Sequence, residues 1–189
     1  MTKAELRKQY KAKRRKLSDY ELSDGSLSIA NRVLQMDLWH LEYFHVFLTI
    51  DTMREIDTEN ILHVLAGKDK KTVLSQSDFD RSTLKLFLLE DDTRIRKNEL
   101  GIPEPQSGTP VDPKQLDVVF VPLLAYDTRG FRVGYGKGIY DHFLKECRPD
   151  VIKIGLSLFD PEPLIEDVWA EDVALDYCVT PRGIHSFVS

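Results

Sequence analysis

The stretch over residues 117–144, DVVFVPLLAYDTRGFRVGYGKGIYDHFL, constrains this chain more than any other. It opens on branched and aromatic apolar residues, the pattern of a strand buried on both faces. It then passes Gly130 and three alternating glycines, Gly134, Gly136 and Gly138, and closes in a helical pattern from about Gly138 to Cys147. A buried strand that feeds a helix through a long loop is a building unit of a parallel α/β sheet.

The rest of the chain carries the same alternation. Residues 2–17 predict a helix with Leu6, Tyr10 and Leu17 as its apolar stripe and Lys3, Arg7 and Arg14 near one face. Ser26 is a candidate cap for a second helix with Leu27, Ala30, Val33, Leu34 and Leu38 turned inward. Residues 43–50 predict a buried strand. Thr58 then caps a helix carrying Ile61, Leu62 and Leu65 and closed by Gly67. Strands are expected over 72–75, 84–89, 116–122, 151–158 and 174–179, with a short helix after Pro163. Residues 101–113 hold four prolines and two glycines and predict a loop. Strands alternating with helices predict α/β layers around a mostly parallel sheet, and the 189 residues fit one domain. Cys147 and Cys178 lack metal-ligand or redox spacing and are expected as free thiols in a reducing compartment. No apolar run approaches the ~20 residues of a membrane helix, and the N-terminus lacks the apolar centre of a secretory signal. A cytoplasmic monomer with no membrane partner is the expectation.

The net charge of −5 conceals an asymmetry. Residues 1–17 hold eight Lys or Arg against one acid, Glu5, a local charge of +7 that leaves −12 on the remainder. Such an arm fits a solvated helix, a transit peptide, a nucleic-acid contact or a pair of cations aimed at a small anion. An acidic body repels phosphate backbones, and Tyr10 is the one aromatic in the arm able to stack on a base. Nucleic acid is therefore not expected as a partner.

The glycine loop has the composition of an anion site. Glycines let the backbone approach a ligand closely, successive N–H groups can converge on one anion, and the following helix adds the positive end of its dipole. Arg132 and Lys137 supply full charges, and Asp141 in the first helical turn supplies an oxygen ligand for Mg²⁺. The spacing G-x-G-x-G is neither a dinucleotide fingerprint nor a P-loop, since Lys137 is followed by Gly138 rather than by Ser or Thr.

Val121-Pro122, Tyr126-Asp127, Gly130, Arg132, Gly134-x-Gly136-x-Gly138, Tyr140-Asp141 and Leu144 together resemble the signature of the 5-formyltetrahydrofolate cyclo-ligase family. Weaker similarities flank it. Lys3 and Arg7 resemble the family's ATP-contacting pair, and the stretch from Ile50 to Glu55 resembles its folate contact. The run 101–105 resembles the loop before the signature strand, and Asp172 and Asp176 resemble two late aspartates. Ile139 stands where many members carry an aromatic, and Tyr135 where many carry Arg.

The resemblance implies a three-layer α/β/α fold of Rossmann-like type, akin to sugar-phosphate isomerases and CoA transferases, with helix 2–17 contributing to the ATP site. It implies ATP- and Mg²⁺-dependent cyclisation of 5-formyltetrahydrofolate. The nucleotide would be held by Lys3, Arg7, Arg132, Val133, Gly134, Tyr135, Gly136, Lys137, Gly138, Ile139 and Tyr140. Lys137 and Arg132 would serve the transferring phosphoryl group. Ile50, Glu55, Tyr135 and Tyr140 would face the folate, and Asp141 and Asp176 would hold Mg²⁺. Two other readings are a sugar-phosphate isomerase-like or acyl-transferring enzyme on a related scaffold, and a nucleic-acid-binding protein using the basic helix.

Overall fold

A computed structural model of the chain describes residues 1–188. In chain order the elements are α1 Lys3–Lys16, α2 Asp19–Leu34, β1 Tyr43–His45, α3 Glu59–Gly67, β2 Lys71–Asp78, β3 Thr83–Leu88, β4 Ile95–Lys97 and β5 Pro103–Pro105. They continue with β6 Val118–Pro122, β7 Ala125–Tyr126, β8 Arg132–Val133, α4 Ile139–Glu146, β9 Ile152–Leu156, β10 Tyr177–Val179 and β11 Ile184–Ser186.

Seven strands form the central sheet in the order β11-β10-β9-β6-β1-β2-β3. The inner five run parallel, while β3 and β11 close the edges antiparallel. The alternation within β6 explains the layering. Val118 and Phe120 face the cluster built with Ile29, Ala30 and Val33 of α2 and Ile61 and Leu65 of α3. Val119 and Val121 face Ile139, Phe143 and Leu144 of α4. All four β6 side chains are fully buried, and each such burial contributes roughly 1.5–3 kcal/mol. The result is the α/β/α sandwich with a mostly parallel sheet that the resemblance implies.

Several local expectations are corrected. α2 begins at Ser18, not Ser26: the Ser18 side chain accepts from the Glu21 N–H while the Glu21 carboxylate accepts from Ser18, a reciprocal capping box. Ser26 lies inside the helix and donates to the Leu22 carbonyl at 2.7 Å. Leu27 and Leu34 are exposed, and the buried face runs instead through Ser26, Ile29, Ala30 and Val33. Thr58 does not cap α3 with its side chain, because its hydroxyl donates to the Phe47 carbonyl at 2.7 Å. Gly67 is the last residue of α3 rather than the one beyond it. Only three residues of the 43–50 stretch are in a strand, and the remainder peels from the sheet toward the site. The proline-rich stretch pairs as β5 with β4. No helix follows Pro163, and β11 lies outside the predicted elements. Among the described residues no helix is long and apolar enough to cross a membrane.

Candidate active site

From β1 the chain moves to β2 on one side, then returns to β6 on the other, so the sheet order reverses between β1 and β6. Open α/β sheets bind ligands beyond the carboxyl ends of their strands at such a reversal. A cavity of about 370 Å³ lies there, walled by Phe47 and Leu48 after β1, Ser75 and Ser77 of β2, and Pro122 at the end of β6.

α1 crosses this edge of the sheet. Leu6 and Tyr10 are buried against Leu124, Ala125 and Val133 of the β7–β8 hairpin and against Ile165. Docking by that stripe delivers Lys3 and Arg7, on the same helix, to the cavity wall. Arg7 donates from Nε to the Gly134 carbonyl at 2.9 Å, and Lys3 is ion-paired with Asp172.

The glycine loop, residues 134–138, lines the cavity throughout. Gly136 has φ +96°, and a Cβ there would sit 3.4 Å from the Arg7 guanidinium carbon. Gly138 takes φ +66° as the left-handed cap of α4. These two positions require glycine; Gly134 has ordinary backbone geometry and open space around it. Lys137 is exposed at the rim and makes no ion pair or hydrogen bond among the described residues.

Arg132 is buried beneath the loop and donates to the Val173 carbonyl and, at 2.9 Å, to Asp141. Burial pulls its pKa below the usual guanidinium value, and the Asp141 charge opposes that pull. The same Asp141 oxygen accepts the Val173 N–H at 3.0 Å. The guanidinium therefore orients Asp141 as well as charging the cavity.

Glu55 is 2% exposed yet reaches the cavity. One carboxylate oxygen accepts the Ile50 N–H at 2.8 Å and the other accepts the Tyr135 hydroxyl at 2.6 Å. Burial pushes the Glu55 carboxyl above its ordinary value, and the bonds from Tyr135 and Ile50, then the Arg14 charge, pull it back. Burial raises the Tyr135 hydroxyl, and the nearby Glu55 charge raises it further. Tyr140 is half-buried on the wall, edge-on to Phe143 and to His45, at 6.0 and 6.1 Å between ring centres. Burial, then the Glu55 charge, raises its hydroxyl too.

The cavity thus gathers Lys3, Arg7, Arg132, Gly134, Tyr135, Gly136, Lys137, Gly138, Ile139, Tyr140 and Asp141 with Ile50 and Glu55. Two expected residues fall outside it. Val133 is fully buried beneath α1, its carbonyl accepts the Leu124 N–H at 2.7 Å inside the hairpin, and it does not line the cavity. Asp176 is bound to Lys153, through the backbone N–H at 2.7 Å and the ammonium at 2.8 Å, across β9 and β10. Asp172, four residues earlier, reaches the cavity in its place. Among the described residues no three His, Cys, Asp or Glu side chains cluster as a metal site. Sequence reasoning gave no role to Arg14, which is buried and bonded to Tyr135 at 2.8 Å. Its signal was its place on the face of Lys3 and Arg7. Of the apolar wall, Ile102 and Pro103 lie in the run 101–105 singled out above, whereas Phe79 had no such signal.

The sequence model of the 5-formyltetrahydrofolate cyclo-ligase family matches residues 1–181. A probable 5-formyltetrahydrofolate cyclo-ligase of Schizosaccharomyces pombe is 25% identical over 187 residues, covering 89% of this chain and 90% of its own. The 5-formyltetrahydrofolate cyclo-ligase of Escherichia coli is 33% identical over 147 residues, 74% of this chain and 78% of its own. Among solved structures, the 5,10-methenyltetrahydrofolate synthetase of Aquifex aeolicus superposes with a TM-score of 0.84 at 27% identity, covering 100% of this chain and 94% of the other.

Proposed function

The chain belongs to the 5-formyltetrahydrofolate cyclo-ligase family, and from that premise we propose how its cavity closes 5-formyltetrahydrofolate to 5,10-methenyltetrahydrofolate at the expense of ATP. One observation carries the reading: three separate segments, the start of α1, the glycine loop and the stretch from Ile50 to Glu55, converge on a single cavity at the reversal point of the sheet.

The N5-formyl group is amide-like, and its oxygen is a poor leaving group. The formyl oxygen attacks the γ-phosphorus of ATP, the bond to the β,γ-bridging oxygen breaks, and ADP departs. N10 then adds to the formyl carbon, its proton passes to solvent, and the C–O bond breaks with its electron pair leaving on phosphate. No covalent enzyme nucleophile is required. The protein positions two ligands and neutralises charge, as is usual in phosphoryl transfer.

Lys3, Arg7 and Lys137, which line the cavity, would bind the phosphates, with the residues 134–138 backbone beneath them. Lys137, exposed and unpaired among the described residues, is the one most available to the transferring group. Glu55 and Tyr140 take the folate side, with Ile50 and the apolar wall. Mg²⁺ fits the donor set: Asp141 and Asp172 are two carboxylates at the cavity, and this ion keeps waters and phosphate oxygens as its other ligands. Bound there it would neutralise charge on the transferring phosphoryl oxygens.

The test is direct. Purified protein with 5-formyltetrahydrofolate, Mg²⁺ and ATP should develop the methenyl chromophore with one ADP per turnover, and none without ATP. Equal turnover in the absence of nucleotide would sink the reading.

A further inference from the structure

Beneath the glycine loop runs a buried chain of hydrogen bonds that the phosphoryl-transfer chemistry does not use. Arg14 of α1 is 6% exposed. It donates from Nη1 to the Tyr135 hydroxyl oxygen at 2.8 Å and from Nη2 to the Leu123 carbonyl at 2.5 Å. Tyr135 in turn meets one Glu55 oxygen at 2.6 Å, and the Ile50 N–H donates to the other at 2.8 Å.

The direction of these bonds is not free. A guanidinium has donors only, so the Tyr135 oxygen must accept at Arg14. Its proton then goes to Glu55. A proton on the Glu55 oxygen that faces Tyr135 would reverse that bond and leave the tyrosine proton with no acceptor among the described residues, and a proton on the other oxygen would weaken it as the acceptor of the Ile50 N–H. Both Glu55 oxygens therefore accept, which favours the ionised carboxylate against the burial that disfavours it. Each oxygen keeps a further lone-pair site for a ligand. The edge that such a fixed, ionised carboxylate fits is a heterocycle with neighbouring N–H donors. The charged and titratable groups facing Glu55 are Arg14 of α1, Tyr135 of the glycine loop and Tyr140 of α4.

We propose that Arg14 and Tyr135 are positioning residues that hold Glu55 as an ionised double acceptor for the folate heterocycle, tying the folate wall to the glycine loop. The inference rests on the cavity reading above and deepens it. It also gives α1 a second duty: Lys3 and Arg7 serve the phosphate end, while Arg14, two turns on, serves the folate end.

The test uses the full chain and calorimetric titration with 5-formyltetrahydrofolate and, separately, MgATP, between pH 5.5 and 8. Tyr135→Phe should weaken folate binding about tenfold at pH 7.5, the scale of a lost hydrogen bond to a charged group. The pH at which acid weakens folate binding should rise, because Glu55 has lost a donor. MgATP affinity should stay within about twofold by the same reasoning, and Arg14→Gln should shift folate binding in the same direction. Because both residues act through one carboxylate, the double variant should be scarcely worse than Tyr135→Phe alone. A ligand-free readout accompanies these: with ¹³C-labelled Glu, the Glu55 carboxyl should titrate at higher pH in Tyr135→Phe than in the unaltered protein.

An unchanged Glu55 titration, or equal loss of folate and MgATP affinity, overturns the relay while leaving the cavity reading intact. Failure of the unaltered protein to bind 5-formyltetrahydrofolate overturns both.

Discussion

Two glycines of one motif should respond differently to the same substitution. Gly136 has φ +96°, and a methyl group there meets the Arg7 guanidinium at 3.4 Å. Gly134, two residues earlier, has an ordinary backbone and nothing within 4 Å of an added Cβ. An L-residue forced into the positive-φ region costs about 1–2 kcal/mol. The Arg7 contact adds little, because the end of a flexible side chain can give way, though it does so by moving a phosphate cation. Gly136→Ala should therefore lose about 1–2 kcal/mol, divided between the stability of the free protein and its affinity for MgATP. In a chain of this size that full cost corresponds to a fall in Tm of about 2–8 °C, or to a factor of about 5–30 in Kd if all of it falls on binding. Gly134→Ala should change the summed free energy by less than about 0.5 kcal/mol, as for a surface substitution without strain. The assay is a thermal melt of each variant paired with a calorimetric MgATP titration. Should Gly134→Ala prove as damaging as Gly136→Ala, local backbone geometry is not what makes this loop glycine-rich.

The two late aspartates should also separate. Asp172→Asn should raise the Mg²⁺ concentration needed for half-maximal turnover, whereas Asp176→Asn should leave it unchanged and lower stability by about 1–3 kcal/mol through loss of the half-buried ion pair with Lys153; turnover against Mg²⁺ and urea midpoints measure the pair. Lys137→Ala should cut turnover by about 10²–10³-fold, as for loss of a preorganised charge at a developing anion, with Tm within about 1–2 °C because the side chain is exposed and makes no hydrogen bond or ion pair among the described residues; an unaltered rate refutes its assignment. His45 is fully buried, and burial drives its pKa down to about 3. A depressed folded-state pKa means that the unfolded chain takes up the proton first. The stability tied to a neutral His45 is complete above its unfolded pKa of roughly 6.5 and is lost as pH falls toward 3, by about 1.4 kcal/mol per pH unit. Urea midpoints at pH 7.5 and 5.5 should therefore converge in His45→Leu relative to the unaltered protein.

The layers of the fold are legible because burial writes them directly. Val118 to Val121 read as a two-sided buried strand and are one. Leu6 and Tyr10 read as the inner face of α1 and are, while Leu17, the third residue of the expected stripe, is the half-buried cap beyond the helix. What escapes is set by non-local bonding. Ser26 has the composition of a cap, but Ser18-x-x-Glu21 closes the capping box eight residues earlier. Thr58 precedes α3, yet its hydroxyl is drawn to Phe47 across a loop closure that no local pattern announces. The edge strand β11 is a three-residue ladder set by its register with β10. At the site, the glycine loop and its cations are adjacent in sequence and so could be read together. The choice between Asp172 and Asp176 could not, because it depends on which of two acids four residues apart finds Lys153 across the sheet.

The basic arm poses the sharpest test of sequence reasoning, since its charge fits several partners equally. Its geometry sorts six of its eight cations into two groups, with Lys11 and Lys13 half-buried between them. Lys3, Arg7 and Arg14 share the buried side with Leu6 and Tyr10, and their partners are Asp172, the Gly134 carbonyl and Tyr135. Lys8, Arg15 and Lys16 face outward into solvent. A helix recruited for its charge alone would present most of its cations outward and would tolerate rotation about its axis. This one cannot rotate: a turn that freed Arg14 would expose Leu6, lift Tyr10 from Glu162, which accepts its hydroxyl at 2.6 Å, and strand Glu55 without its relay. The cations on its inner face are thus placed by the apolar stripe between them. Leu6→Ala tests this without touching a charge. It should cost about 2–5 kcal/mol of stability, the range for a buried leucine. It should also weaken MgATP binding in the fraction that stays folded, because Lys3 and Arg7 lose their anchor together. An intact MgATP affinity in folded Leu6→Ala would mean that the helix finds the cavity by charge, and that its packing is incidental to the site.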